Sequence, residues 1–379
     1  MRNHRIAALA AAGTVLITLT AASGASAAEP ESAARAAPAA PSAPATRAAL
    51  AAPAAGTAEA APAAQARPAT LAASTGGPAD GPLLTGANQG LAYYTPCQLT
   101  LTDPTTGKVT DAAPAGAGCS PSATPNGSVI AYFGPDRPTT VPDPAMKQFL
   151  HVMHGDGTHS RVVRTDPGGF ANVFGPATFT PDGQHLVFFA QTTPTAATQD
   201  YTVNLNGTGF TVYNLGIKGV TPQSAPVYSA DGSTLAVVTS DGIWLRKGRA
   251  AATRLALPGI PATASITSLN LSPNGGRLAL ADADGDVYVV GTDGQNLREY
   301  AASHQNAAGN QIDYNAPVFS PDGKQLAMNE LTYQGGPSPA DWSTVLVTAE
   351  LATPGPLDQV SPEFGNGGDS LVWLPARKP

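Results

Sequence analysis

The sequence predicts an all-β fold, a six-bladed β-propeller of four-stranded antiparallel blades closed by its N- and C-terminal strands in one blade. Three observations predict it. A hairpin made of an apolar run, a tight turn and a second apolar run occurs again and again, its copies are spaced by roughly one blade, and the composition favours turns. The clearest copy is Pro317-Val318-Phe319-Ser320-Pro321-Asp322-Gly323-Lys324-Gln325-Leu326-Ala327-Met328. Pro321 sets φ for the first central turn position, Asp322 hydrogen-bonds nearby backbone, and Gly323 accepts the positive φ that lets an antiparallel strand return.

Further copies place Thr180-Pro181-Asp182-Gly183 before His185–Phe189, Ser229-Ala230-Asp231-Gly232 before Leu235–Val238, and Ser272-Pro273-Asn274-Gly275 before Leu278–Leu280. Two looser copies are Thr124-Pro125-Asn126-Gly127 before Val129–Tyr132 and Phe364-Gly365-Asn366-Gly367 before Leu371–Leu374. From Pro125 the turns fall at 181, 230, 273, 321 and about 366, so the spacings are 56, 49, 43, 48 and about 45 residues. A period of that length built from short strands is the signature of a propeller rather than of a helical array. Forty glycines, 36 prolines and only 12% charged residues fit many turns and few surface helices.

Taken in order, the chain opens with Arg2, His4 and Arg5 before the apolar run Ile6 to Leu19 and a small-residue site at Ala25-Ser26-Ala27. Residues 1–27 read as a secretory signal peptide. The run is short for a membrane span, and no later segment is long and apolar enough to cross a bilayer as a helix. Ala and Pro make up 33 of the 53 residues from 28 to 80, and the prolines at 30, 38, 41, 44, 53, 62, 68 and 78 break any helix. With no apolar face to bury, residues 28–80 read as a disordered linker, serving as a stalk or docking arm or having no role. Residues 81–379 form the propeller. The mature protein is expected outside the cytoplasm, in the cell wall, periplasm or medium, and as a monomer.

Within a repeat two further strands follow the hairpin, as in Asp286–Val290 with Leu297–Tyr300, or Tyr201–Leu205 with Phe210–Tyr213. Twisted four-stranded sheets bury their faces only by stacking on neighbours around an axis. The last repeat carries two strands to Trp373, so its outer strands are expected from Leu91–Tyr94, Leu99–Thr102 and Lys108–Thr110, with the partner of Leu371–Leu374 left open. The two cysteines, Cys97 and Cys119, flank that junction. In an exported chain an isolated pair points to a disulfide stapling the ring, the alternative being two buried thiols.

The run Pro-Val-Phe-Ser-Pro-Asp-Gly at 317–323, with its variants at 179–183 and 227–232, resembles the PD40, or WD40-like, repeats of TolB-type six-bladed propellers. The resemblance covers essentially residues 81–379 and implies a free-standing extracytoplasmic binding propeller. Two departures argue against membership of the Tol system or a peptidase: the Ala/Pro segment stands where TolB has a folded N-terminal domain, and no hydrolase domain accompanies the propeller.

Loop lengths carry the functional expectation. Turns between first and second strands are uniformly short, whereas segments 135–147, 165–175, 191–200, 302–316 and 332–342 are long and belong to the opposite face. Long loops on a rigid scaffold are the usual place for binding groups. They carry Arg137, Phe170, Asn172, Phe174, His304, Asn306, Asp313, Tyr314, Tyr333, Asp341 and Trp342, aromatic anchors among polar groups that suit an envelope protein, peptide or glycan. A non-enzymatic binding module or scaffold is the favoured reading. The alternative is a propeller hydrolase, lactonase or lyase with a metal or His/Asp site over the axial channel, for which His304 and Asp313 are the nearest ionisable pair.

Other motifs point elsewhere. Gly368-Asp369-Ser370-Leu371 spells a GDSL hydrolase motif but lacks the strand-to-helix setting and a downstream His, so no catalytic residue is assigned. Asp282, Asp284 and Asp286 resemble the opening of a calcium loop, yet the glycine is displaced and no closing Glu follows; a polar β-turn fits better, with calcium the only cofactor candidate. His151 and His154 point to opposite faces of a strand, while His154 and His159 meet across Gly155-Asp156-Gly157 without a third ligand. The formal charge of −7, more acidic once the leader's arginines are removed, disfavours nucleic acid and anionic membranes as partners.

Overall fold

The Ser/Thr-Pro-Asp/Asn-Gly turns are the local unit from which the architecture grows. In the computed structural model, residues 80–88, 97–113, 118–137, 147–163, 169–217, 219–260, 264–333, 342–353, 355–364 and 367–376 are described. Five turns are built alike. Ser320 Oγ donates to Asp322 Oδ1 at 2.7 Å and accepts from the Gln325 N–H at 3.0 Å, while Asp322 Oδ1 also takes the Lys324 N–H at 2.9 Å. The Gly323 N–H closes the turn on the Ser320 carbonyl at 2.8 Å with φ +71°. Thr124, Thr180, Ser229 and Ser272 repeat the arrangement. The Ser or Thr hydroxyl that opens each of these five turns therefore closes both the turn and the first rung of the hairpin.

Blade 1 comprises β4 (Cys119–Ala123), β5 (Val129–Gly134), β6 (Phe149–His154) and β7 (Arg161–Val162). Blade 2 comprises β8 (Asn172–Val173), β9 (Thr178–Phe179), β10 (His185–Gln191), β11 (Gln199–Asn204) and β12 (Thr211–Val212), with β8 and β9 both pairing β10 as one interrupted inner strand. Blade 3 holds β13 (Val227–Tyr228), β14 (Thr234–Thr239), β15 (Gly242–Lys247) and β16 (Thr253–Arg254). Blade 4 holds β17 (Ile266–Leu271), β18 (Arg277–Asp282), β19 (Val287–Gly291) and β20 (Arg298–Ala301). Blade 5 adds a short inner strand, giving β21 (His304–Gln305), β22 (Gln311–Phe319), β23 (Gln325–Tyr333), β24 (Trp342–Glu350) and β25 (Asp358–Gln359). Every strand pair is antiparallel.

Blade 6 closes the ring in the order β26 (Gly367–Pro375), β1 (Asp80–Asn88), β2 (Cys97–Thr102) and β3 (Val109–Asp111). One C-terminal and three N-terminal strands thus share it, which corrects the expected two-strand C-terminal contribution. The return strand after β26 is β1, with Leu84 opposite Val372 and Thr85 opposite Leu371. Leu91–Tyr94 lies outside the described residues, as do 1–79. The Trp373 indole N–H donates to the Gly81 carbonyl at 2.9 Å, anchoring the start of β1. A Cys97–Cys119 disulfide, Cα to Cα 5.1 Å, ties β2 of blade 6 to β4 of blade 1 and staples the ring as expected.

Each of the six seams has its own core, because a blade covers its faces only with its neighbours. Phe133 with Phe188 fills seam 1/2, Leu245 with Leu278 seam 3/4, Val289 with Met328 seam 4/5, Val318 with Trp373 seam 5/6, and Leu84 with Ile130 seam 6/1. Seam 2/3 is the thinnest, with Leu215, Leu235 and Val237 as its buried apolar side chains. Among the described residues there is no helix, and none long and apolar enough to cross a membrane.

Candidate functional site

In a meander blade the turns after strands one and three lie on one end of the ring, and the turns after strand two lie with the inter-blade links on the other. The first end is consumed by scaffold. Its turns interlock: the Ala230 N–H donates to the Pro273 carbonyl at 3.1 Å, and Arg277 Nη2 donates to the Gly323 carbonyl at 2.6 Å. The second end carries the variable segments, and candidate residues fall there.

Several side chains expected at a surface turn inward. Phe170 is fully buried, in a ring cluster with Phe133, Phe188, Tyr201 and Phe210. Tyr314 and Trp342 are also buried, at 5% and 8% exposure. Each large apolar ring contributes more by filling a seam than it would in water. These three are core residues and provide no exposed anchor. Segment 302–316, expected as loop, is mostly β21 and β22, because the alternation of Ile312 and Tyr314 with Asp313 and Asn315 extends the strand.

What remains accessible is Arg137, Asn172 and His304, all exposed, with Phe174, Asp313 and Tyr333 half-buried. Asn172 Nδ2 donates to Gln191 Oε1 at 2.7 Å, and Phe174 packs on Phe189 with centroids 5.8 Å apart. Tyr333 stands edge-on to Trp342 at 5.1 Å, beside the segment that holds Asp341, itself outside the described residues. The structure brings Asp313 and Tyr333 together, sets His304 on the other face of β22, and leaves Arg137, Asn172 and Phe174 near blades 1 and 2.

The 4/5 mouth is acidic and rich in tyrosine. Asp313 packs against Gly285, whose carbonyl accepts the Tyr314 N–H at 2.9 Å, so the Asp282–Asp286 turn docks directly on β22. Burial pushes the Tyr333 hydroxyl well above the usual tyrosine range, with Asp313 adding to it. Burial also pushes Tyr314 up, and its hydroxyl is bonded to Glu330, which faces it across β23. Glu330 escaped the sequence reading; cross-strand register is the signal that finds it.

His304 and Asp313 do not converge. His304 pairs opposite Ile312, and its ring stacks on Tyr314 at 6.4 Å, on the face of β22 opposite to Asp313. Its Nδ1 bonds the Ala302 carbonyl at 3.0 Å, and Asp313 Oδ1 accepts from Gln311 Nε2 at 2.9 Å.

The Asp282–Asp286 carboxylates serve their own turn. Asp282 Oδ1 takes the N–H groups of Asp284 and Asp286, both at 3.0 Å, and burial raises its pKa. Asp286 takes the Ser303 N–H at 2.6 Å and the Tyr288 hydroxyl at 3.3 Å. Among the described residues no group of three or more His, Cys, Asp or Glu is arranged to hold a metal ion. Ser370 of the GDSL-like stretch lies buried within β26, not on a strand-to-helix turn.

No known family model matches the sequence, and no curated protein matches it. Solved structures similar to it include TolB from Acinetobacter baumannii, 16% identical with a TM-score of 0.57 over 78% of this chain. The chain spans 66% of that protein's length, just under two thirds. A putative TolB from Agrobacterium tumefaciens is 13% identical over 80% of this chain and 100% of its own, with a TM-score of 0.49. A periplasmic gluconolactonase from Pseudomonas aeruginosa is 14% identical over 78% of this chain and 99% of its own, TM-score 0.47. At such identities the likeness is one of fold: the chain is a TolB-like six-bladed β-propeller.

Proposed function

We propose that the protein is an exported, non-enzymatic binding propeller that takes an envelope protein, peptide or glycan through the end carrying its variable segments. The observation that carries this reading is the separation of His304 and Asp313 onto opposite faces of β22, since they are the ionisable pair on which acid–base chemistry would depend. Export is supported by the Cys97–Cys119 disulfide, a bond that persists in oxidising compartments. The leader at 1–27 and the linker at 28–80 belong to the same proposal. The acidic mouth of Asp284, Asp286 and Asp313 beside Tyr333 suits a partner offering cationic or hydroxyl donors.

Affinity capture from the native envelope fraction tests it, using the full chain, a variant with Phe174→Ala, His304→Ala and Asp313→Ala, and a control with Asp182→Ala and Lys324→Ala at the opposite end. A partner held by parent and control but lost from the folded triple variant is the expected result. Retention by all three, or by none, overturns the assignment, and turnover of lactones or esters by the purified chain would favour the enzymatic reading instead.

A further inference from the structure

The basic residues of this acidic chain are not spread evenly. No Asp or Glu occurs from 242 to 281, a stretch that holds Arg246, Lys247, Arg249, Arg254 and Arg277, and none occurs from 201 to 230. The outer strands of blade 3 therefore carry a local charge opposite to that of the whole chain. A cleft of about 350 Å³ opens there at seam 2/3, lined by Leu215 and Gly216 of the segment after β12, by Arg246 of β15 and by the turn 248–252. We propose that this cleft, apart from the acidic mouth of seam 4/5, binds the oxyanion group of a small ligand, a carboxylate or a phosphate carried on a short aliphatic body, between Arg246 and Arg249.

Strand alternation puts one of the two guanidinium groups in the seam. Ile243 and Leu245 fill seam 3/4, so Trp244 and Arg246 take the other face of β15, where Trp244 packs on the seam 2/3 cluster. Arg246 is half-buried there, and its Nη1 donates to the Leu215 carbonyl at 3.3 Å. Arg249 stands exposed on the turn, and among the described residues neither guanidinium pairs with a carboxylate. A guanidinium has five N–H donors, and withdrawing its charge from water is costly without a counter-charge. One long bond to a carbonyl does not supply that counter-charge. An oxyanion does, and its oxygens match the guanidinium fork.

The walls decide what carries the oxyanion. Leu215 is buried, and the methyl groups of Ala250, Ala251 and Ala252 line the turn side, so a body of a few carbons meets apolar surface beside the charge. The volume is at the small end for a ligand site, which suits one small molecule rather than a polymer. The Gly248 N–H is tied to the Ser233 carbonyl at 2.6 Å and the Ala250 N–H to the Lys247 carbonyl at 3.1 Å, so the turn is held in place. At Gly216 and Gly248 no atom lies within 4 Å of where a Cβ would stand, which leaves the cleft open. The carboxyl of Asp200 shares the seam, and Tyr228 senses both it and Arg246.

The test is titration of the full chain at pH 6, where Asp200 is largely protonated because burial pushes its pKa up to about 7. Butyrate and inorganic phosphate are the probes, chloride at matched ionic strength is the control, and the readouts are calorimetry and the arginine Nε–H signals in NMR. Saturable binding of either probe that moves the signals of Arg246 and Arg249, but not those of Arg161 and Arg277, is the expected result. The tighter probe then identifies the ligand's group as carboxylate or phosphate. Arg246→Gln and Arg249→Gln should each weaken binding about tenfold. Arg249→Gln, at an exposed position, should do so with an unchanged unfolding temperature. The absence of saturable binding, equal saturation by chloride, or parental affinity in Arg249→Gln overturns the proposal.

Discussion

Seams 1/2 and 2/3 meet on opposite faces of the same sheet, blade 2, and are built from opposite chemistries. Seam 1/2 is a cluster of aromatic rings, with Phe133, Phe170 and Phe188 edge to face and Tyr201 stacked on Phe210 at 5.0 Å. Seam 2/3 has three buried apolar side chains and a polar set: the Tyr213 and Tyr228 hydroxyls 2.8 Å apart, and Asp200. Alternation along β11 sends Tyr201 and Val203 into the first seam and Asp200 toward the second, where Tyr228 senses its charge. Asp200 is 3% exposed, neither carboxylate oxygen has a hydrogen-bond partner, and burial pushes its pKa up to about 7. A ring therefore needs six closed seams but not six equal ones, and the weakest sets where it first opens.

The largest effect separating the seams is expected from Phe188→Ala, which removes a ring in contact with Phe133, Phe170, Tyr201 and Phe210 and should cost about 3 to 5 kcal/mol by denaturant unfolding. A loss below about 1 kcal/mol would mean that the cluster collapses onto the gap and is no stronger than its neighbour. For seam 2/3 the corresponding probe is pH. The folded pKa of Asp200 lies above its unfolded value of 3.8, so stability is fully present below pH 4, falls as pH rises to about 7, and is level above that. The loss is on the order of 4 kcal/mol at pH 8. Asp200→Asn should flatten that slope and unfold later than the parent at pH 8; a variant with the parent's pH profile would show that Asp200 does not govern the seam.

Reducing the Cys97–Cys119 bond removes the covalent closure of seam 6/1, whose sequence separation is 22 residues. About 3 kcal/mol should be lost in the chain-entropy model, measured as a lower denaturation midpoint in Cys97→Ser/Cys119→Ser. An equal midpoint would show that β1 and β26 hold the ring without it. The smallest effect is expected from Tyr228→Phe, which removes the hydroxyl contact with Tyr213 and should cost about 1 kcal/mol. A gain in stability would identify the buried hydroxyl pair as a burden on seam 2/3.

Much of this architecture was legible in the residues, for reasons visible at single positions. Ser320-Pro321-Asp322-Gly323 specifies its turn with atoms at most five residues apart, so five hairpins and their period follow from local chemistry, whereas the sixth expected copy, at 364–367, precedes β26, whose partner is β1. The disulfide followed from having two cysteines beside the ring junction. What was not legible depends on distant partners. The linker was expected to end at Asp80 and the first strand to begin at Leu91, yet β1 from Asp80 is the strand that pairs with β26, at the far end of the propeller sequence. Phe170, Tyr314 and Trp342 have the composition of surface anchors, and only the neighbouring blade decides that they are core.

By itself, then, the sequence determined the blade: turn chemistry, alternation and repeat length act over a few residues and leave little choice. The tertiary structure decided which face of each strand meets which neighbour. That choice closed the ring through β1, separated His304 from Asp313 and buried Asp200 without a partner. The physical reason is that burial and proximity between blades depend on the packing of segments dozens to hundreds of residues apart, and no local pattern encodes them.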